Sequence, residues 1–310
     1  MILSCGDALI DFVPVVARDG REAVRPAVGG SCLNIAVGIA RLGAAAGFVG
    51  GISTDLFGRM VADHAIASKV DLRFARRSAH QTTLAFVRIV EGESQYAFYD
   101  AQTASANWSY ERGSIPFDAI EAVHIGSTTL VHARGSEQAD ALVADARASA
   151  TISFDPNCRP ALVEDRKAYR TRMDAFAGNA DIVRMSDVDF NYLYGDDAYA
   201  TRAERLLTRS ASLFVVTRGG NGVQAWHRNA GMIEVEAPTV EVVDTIGAGD
   251  SFQAALLFAL ARLKRIERTG LHAIGAAELR RALTFACQCA AVTCTRAGAD
   301  PPRFSEVAAL

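Results

Sequence analysis

Along this 310-residue chain the apolar positions change period several times. Ile2 to Cys5 is a short apolar run that meets Gly6, which predicts a strand and a turn. Residues 9–16 and about 21–28 read as two short β segments parted by the turn pair Asp19-Gly20. After Gly29-Gly30, Ile35, Ile39 and Leu42 recur at helical spacing, and Gly43 is placed to stop that helix. Residues 45–49 predict another strand and 57–66 a second helix. Residues 80–100 break this rhythm. TTLAFVRIV and QYAFYD are both β-rich and are joined by the polar turn EGES, so they predict a hairpin. With 9–28 it can form a small sheet beside the main body. Tyr96, Phe98 and Asp100 would share one face of their strand. Such a polar and aromatic face suits a lid over a pocket, and an ordinary half-buried hairpin is the plain alternative.

From residue 120 strands and helices alternate. AVHIGS, TISFDPN and DIVRMS read as strands running into turns, and 136–147 as a helix. SLFVVTRGGNGV is a strand, a glycine turn and another strand. VEVV at 240–243 is β-like and precedes GDSFQAALLFALARL, an almost wholly apolar helix. RRALTFACQCAAVTCT is a second apolar helix, closed by Arg296-Ala297-Gly298. Strands alternating with helices of 10–15 residues imply an α/β fold: a mostly parallel sheet covered on both faces, in three layers. No interdomain linker or repeat interrupts it, so residues 1–310 are expected to form one domain.

Composition narrows the classes. Hydrophobic residues make up 50% and charged residues 22%, ordinary values for a globular chain, and the formal net charge is -3. No basic stripe or tail suggests nucleic acid. The start lacks a basic region and meets Asp7, so it does not read as a signal peptide, and no long apolar run predicts a membrane span. The six cysteines form no CxxC pair and the six histidines no metal spacing, so reduced thiols in the cytoplasm are expected.

The strongest candidate chemistry is Asp244-Thr245-Ile246-Gly247-Ala248-Gly249-Asp250, which opens the first apolar helix. Amides at a helix start bind anions, and small residues leave them exposed. Asp250 lies beside that anion hole and could deprotonate a hydroxyl; a capped helix start is the bland reading. Thr217, Gly219 and Gly222 form a second phosphate candidate, equally readable as a hairpin. Asp11, Gly29, Gly30 and Asn34 offer carboxylate, backbone and amide groups that suit a polyol. Asn157 and Arg159 follow an apolar strand, where ligand crevices of open sheets lie. Arg184, Ser186, Asp187 and Asp189 form a polar group whose acidic members could hold Mg2+ through water, although helix capping is the stronger reading of Asp187.

With these segments in order, the chain resembles the PfkB family of carbohydrate kinases, also called the ribokinase family, over residues 2–305. GGSCLNIAVGIARLG at 29–43 and DTIGAGDSF at 244–252 look like its two signatures, and VTRGGNGV and CTRAGA match its nucleotide side. The resemblance implies a ribokinase-like sandwich whose lid is formed by about 9–28 and 80–100. It implies Asp250 as catalytic base and Gly247, Ala248 and Gly249 as the anion hole. Asp11, Gly29, Gly30, Asn34, Phe98, Asn157 and Arg159 become sugar contacts. Thr217, Gly219, Gly222 and Ser186 become ATP contacts, with Asp189 as a water-mediated Mg2+ ligand. Ser186 and Asp189 stand where the family carries asparagine and glutamate, and Cys287 stands where many members carry an adenine-side asparagine. K+ is left open, around Asp244 and Gly298. HIGSTTLV, QYAFYDAQTA and DPNCR look most like bacterial fructokinases. The implied reaction is phosphorylation of fructose to fructose 6-phosphate, with 2-keto-3-deoxygluconate kinase as the alternative and a non-catalytic sensor behind it. A homodimer through the lid is the implied assembly, with no nucleic-acid or membrane partner.

Overall fold

The computed structural model describes residues 1–90, 93–307 and 310, and of 87–90 and 93–96 the backbone only. β1 (Ile2–Cys5) leads to the hairpin β2 (Leu9–Val16) and β3 (Glu22–Gly29), then α1 (Ser31–Leu42). β4 (Ala46–Val49), β5 (Gly51–Ser53), α2 (Leu56–Ala67) and β6 (Arg76–Ser78) precede a second pair, β7 (Thr83–Val90) and β8 (Glu93–Tyr99). β9 (Ala122–Gly126), α3 (Ala133–Ala146), β10 (Thr151–Asp155), α4 (Arg166–Ala177) and β11 (Ile182–Ser186) then alternate. α5 (Asp187–Tyr194), α6 (Tyr199–Arg209), β12 (Leu213–Thr217), β13 (Val223–His227) and β14 (Gly231–Val235) follow. α7 (Ala248–Arg262), α8 (Arg268–His272) and α9 (Ala276–Cys294) complete the helices.

Eight strands form one sheet in the order β14-β13-β12-β11-β10-β9-β1-β4. It is parallel from β4 to β12 and antiparallel from β12 to β14. The strands are apolar on both faces, and alternation sorts each residue to one layer. Val183, Met185, Phe214 and Val216 pack with α3, α4, α5 and α6. Ile182, Leu213 and Val215 pack with α1, α7, α8 and α9. This is the expected three-layer α/β architecture. Its parallel strands β1, β9, β10, β11 and β12 all end on one side, so Asp7, Ser127, Asp155, Ser186 and Thr217 emerge along one edge.

The small sheet is real and runs β3-β2-β7-β8. β2 pairs antiparallel with β3 and parallel with β7, and β7 pairs antiparallel with β8. Phe12 stacks on Phe86 at 4.6 Å and meets Phe57 of α2 edge-on at 5.6 Å, which fixes this sheet to the body. The expected EGES turn falls partly on 91–92, outside the described residues, as does the side chain of Tyr96. One expected strand is absent: 240–243 is irregular. The N–H of Val243 donates to the Cys294 carbonyl at the end of α9 instead of to a strand, so the valines have no ladder to join.

Candidate active site

Helix α7 begins at a left-handed Gly247, φ 75°. A Cβ there would lie 2.6 Å from that of Ala299, so both the conformation and the space require glycine. Asp244 holds this entry closed. One oxygen accepts from Ile246 N–H and the other from Gly298 N–H, at 2.9 and 2.8 Å. Of the amides that follow at the helix N-terminus, that of Ala248 donates to the Thr245 carbonyl at 3.2 Å, and those of Gly249 and Asp250 have no acceptor within their own helix, the arrangement that suits an anion.

Asp250 sits in the first turn of α7, but its side chain caps nothing there. It crosses to α1, where Ser31 Oγ donates to Oδ1 at 2.6 Å and Asn34 Nδ2 donates to Oδ2 at 2.9 Å. Burial pushes its carboxyl upward, while Ser31, Asn34 and Arg159 pull it back down. The start of α1 is itself pinned. Gly30 has φ 102°, and a Cβ on it would meet the Asp7 carbonyl at 2.7 Å. The Asp7 carboxylate accepts from Cys32 N–H, Ser127 Oγ and Thr128 Oγ1, tying β1, α1 and the end of β9 together.

Asp11, on the lid strand β2, faces this group. Burial raises its carboxyl to about 7; Arg159 opposes the shift, and Asp7 and Asp250 add to it. Gly29 makes room for it, since a Cβ there would lie 2.1 Å from Asp11 Oδ2. Arg159 is steadied through Nη1 by Asn157 Oδ1 at 2.6 Å and by two carbonyls of its own loop.

Two adjoining cavities meet at α7. A polar cleft of about 660 Å3 is lined by Asp11, Ser31, Asn34, Phe98, Asn157, Arg159 and Asp250, with Gly30, Gly247 and Gly249. A more apolar cavity of about 420 Å3 lies on the other side, between the glycine turn at 219–222 and Val240, Val242, Phe252, Cys287, Ala290, Ala291 and Cys294. Arg184, Thr217, Gly219, Thr245 and Gly249 line both. Arg184 is buried between them. It donates to Asp155 Oδ2 at 2.5 Å and to Thr217 Oγ1 at 2.6 Å, and its guanidinium lies over Phe252. Burial works against its charge and Asp155 more than restores it.

Ser186 and Asp189 line the polar cleft but form a capping box for α5. Asp189 accepts from Cys158 N–H on one oxygen and from Ser186 Oγ and N–H on the other. Burial, reinforced by Asp155, pushes its carboxyl up. The cap of α5 is thus Ser186 and not Asp187. No group of three or more His, Cys, Asp or Glu among the described residues could hold a metal ion. These side chains fit a Mg2+ that arrives on a triphosphate and keeps its own water, not a protein-built cage.

Of the residues singled out as catalytic, sugar or nucleotide contacts, all reach one cavity or the other except Gly29, which supports Asp11; Ala248 and Gly222 lie on the apolar side, while Asp100, which pairs with His132, and Gly298 line neither. Asp7, Ser31, Thr128 and Asp155 were missed as site residues. Position was their only signal, at strand ends and directly after the glycine pair. Arg184 was noticed only as one of a polar group.

The pfkB family carbohydrate kinase model matches residues 1–305. A fructokinase of Rhizobium leguminosarum bv. trifolii is 35% identical over 260 residues, covering 84% of this chain and 79% of that protein. A fructokinase from Xylella fastidiosa, solved with bound ATP, superposes with a TM-score of 0.88 at 28% identity over 99% of this chain and 94% of that one. A Vibrio cholerae O395 fructokinase, solved with fructose, ADP and calcium ion, gives 0.83 at 25% identity over 96% and 94%. The family model spans nearly the whole chain and these likenesses agree with it, so the chain belongs to the pfkB family of carbohydrate kinases.

Proposed function

We propose that this protein is an ATP-dependent fructokinase that forms fructose 6-phosphate. The observation that carries this reading is the place of Asp250, in the polar cleft next to Gly249, which lines both cleft and apolar cavity, at the α7 N-terminus. Sugar would lie in the cleft against Asp11, Gly30, Asn34, Phe98, Asn157 and Arg159. Adenosine would lie in the cavity, with its phosphates passing Thr217, Gly219 and Gly222 towards Gly247, Ala248 and Gly249. Asp250 takes the proton of the attacking hydroxyl, and the loop amides stabilise charge on the transferring phosphoryl oxygens. Asp189 would hold Mg2+ through water beside the ATP contact Ser186, and the ion would supply charge neutralisation on the triphosphate. K+ beside the Asp244–Gly298 staple completes the cofactor proposal.

The sheet of 9–28 and 80–100 acts as the lid of a single-domain enzyme and excludes water on closure. Val16, Val24 and Tyr99 on its strands are exposed, which supports a homodimer formed through the lid. No described helix is long and apolar enough to cross a membrane. The six free cysteines support a cytoplasmic location, and the pattern of charge supports no nucleic-acid partner.

Arg159 in the cleft favours one second reading, 2-keto-3-deoxygluconate, whose carboxylate a guanidinium would hold. A panel of fructose, 2-keto-3-deoxygluconate, ribose, glucose, adenosine and fructose 6-phosphate, compared by kcat/KM with an ATP-only control, tests both. Selective fructose turnover is expected. A preference for 2-keto-3-deoxygluconate overturns the substrate. No turnover, with sugar binding retained, would point to a sensor.

A further inference from the structure

The side chain of Asp250 spans a gap between two helices, and its two oxygens are held differently. Ser31 is the first residue of α1 and Asn34 lies one turn on, so both point from the same helix face. Each donates to a separate oxygen, at 2.6 and 2.9 Å, leaving each oxygen a lone pair. Both donors belong to buried residues, Ser31 at 6% and Asn34 at 7% exposure. Asn34 has an amide to share with a sugar hydroxyl. Ser31 has a single proton, and it is already spent on Asp250.

We infer that Ser31 is a positioning residue that sets the rotamer and the ionisation of Asp250. The inference rests on the reading of Asp250 as the base. Desolvation in this crevice, to which Asp7 adds, favours the neutral acid, which cannot accept a proton from the sugar; Asn34 and Arg159 oppose it, and Asp11 and Arg184 also face the carboxyl. A short hydrogen bond from Ser31 stabilises the carboxylate more than the neutral acid, so it opposes that drift. It also fixes Oδ1 and leaves Oδ2 beside the Asn34 amide, the end nearer a group that would hold sugar. α1 is a firm anchor for this task. Asp7 binds the Cys32 N–H directly behind Ser31, and the positive-φ turn at Gly30, which only glycine takes readily, sets where the helix starts. A hydroxyl at position 31 therefore acts on the reaction through Asp250 and not through sugar affinity.

The test is the pH dependence of kcat at saturating fructose and MgATP, so that Asp11 is already engaged. A hydrogen bond to a charged group is worth about ten- to a hundredfold in an equilibrium, or roughly one to two pH units, and water admitted by a smaller side chain returns part of it. Ser31→Ala is expected to move the acid limb of kcat up by about 0.5–1 pH unit. Well below that limb, kcat falls about 3–10-fold, while the KM values for sugar and ATP stay near wild type. Ser31→Thr restores the wild-type limb. Ser31→Cys, whose thiol is a weak donor of similar size, falls between and guards against a packing defect in the alanine variant. An unmoved limb in both Ser31→Ala and Ser31→Cys overturns the inference. So does a raised sugar KM with an unmoved limb, which would make Ser31 a sugar contact. Asp250→Asn is run beside them. If it keeps near-wild-type turnover, the base itself is wrongly assigned, and that failure is distinct from the failure of Ser31.

Discussion

At the scale of single residues, Asp250 bears on turnover, and Asn34, although it also donates to Asp250, bears on sugar binding. Asp250 reaches both α1 donors and lies in the polar cleft next to Gly249, so its loss should fall on turnover. A general base contributes about 10²–10⁴-fold. Asp250→Asn is expected to lower kcat by that order while circular dichroism and melting stay close to wild type, because asparagine can still pair with Ser31. Near-wild-type kcat at saturating sugar and MgATP would reject the assignment. Asn34→Ala is expected to raise the sugar KM by about tenfold, the scale of one lost buried hydrogen bond with its partner left unpaired, and to leave the ATP KM within about twofold. Equal changes in both KM values would place Asn34 outside the sugar site. The residues that sequence reading missed belong to this scale as well. Ser31 and Asp250 are 219 positions apart, and no local pattern announces that their oxygens meet. Asp7 is a similar case. Its three donors come from α1 and from the loop after β9, so its importance exists only once the sheet has assembled.

At the scale of elements, the legible features were those whose cause is local. The α1 helix follows from its apolar spacing and its glycine stop, and Gly43 does take a left-handed conformation, φ 101°. The long helix α7 follows from an unbroken apolar run after a glycine turn. The 240–243 segment shows the opposite case. Four residues with strand composition stay irregular because a strand needs a free edge to pair with, and the Cys294 carbonyl takes the amides of Val243 and Asp244 first. Ser186 and Asp189 likewise read as phosphate-side groups from their order in the chain, while their geometry is that of a capping box. Gly247 tests whether the α7 start is shape-limited. Gly247→Ala forces a Cβ at positive φ against Ala299, at a cost of about 1–3 kcal/mol. For a protein of this size that lowers Tm by several degrees, and kcat is expected to fall about tenfold or more as the anion-binding amides shift. An alanine variant with unchanged Tm and kcat would show that the turn is not under this constraint.

At the scale of the whole molecule, catalysis and stability place opposite demands on buried ionisable groups. His124 sits in the centre of the sheet, with Nδ1 near Ser153 Oγ at 3.1 Å, and Gln253 of α7 donates to the same hydroxyl at 2.7 Å. Burial, helped by Arg184, lowers its pKa from an ordinary 6.5 to about 3. Between those values the unfolded chain binds a proton that the native one refuses. This contribution therefore falls as pH drops below about 6.5, with a limiting slope of about 1.4 kcal/mol per pH unit. Asp11 does the reverse. Its carboxyl is raised from 3.8 to about 7, so between those values the native state holds the extra proton. Its contribution falls as pH rises through that window, and ionised Asp11 at neutral pH is a standing cost that the sugar site bears. The two slopes oppose each other over much the same range, so wild type should show a shallower profile than either group alone dictates. Single variants should uncover both. Relative to wild type, His124→Gln should melt progressively better as pH falls from 6.5 to 4.5. Asp11→Asn should melt progressively better as pH rises from 4.5 to 7.5, while losing sugar use. Melting curves at fixed ionic strength read these differences directly. Parallel profiles for Asp11→Asn and wild type would mean that the carboxyl is not held up by its surroundings. The site would then carry no stability cost for its function, contrary to the trade-off that the cluster of buried Asp7 with half-buried Asp11 and Asp250 implies.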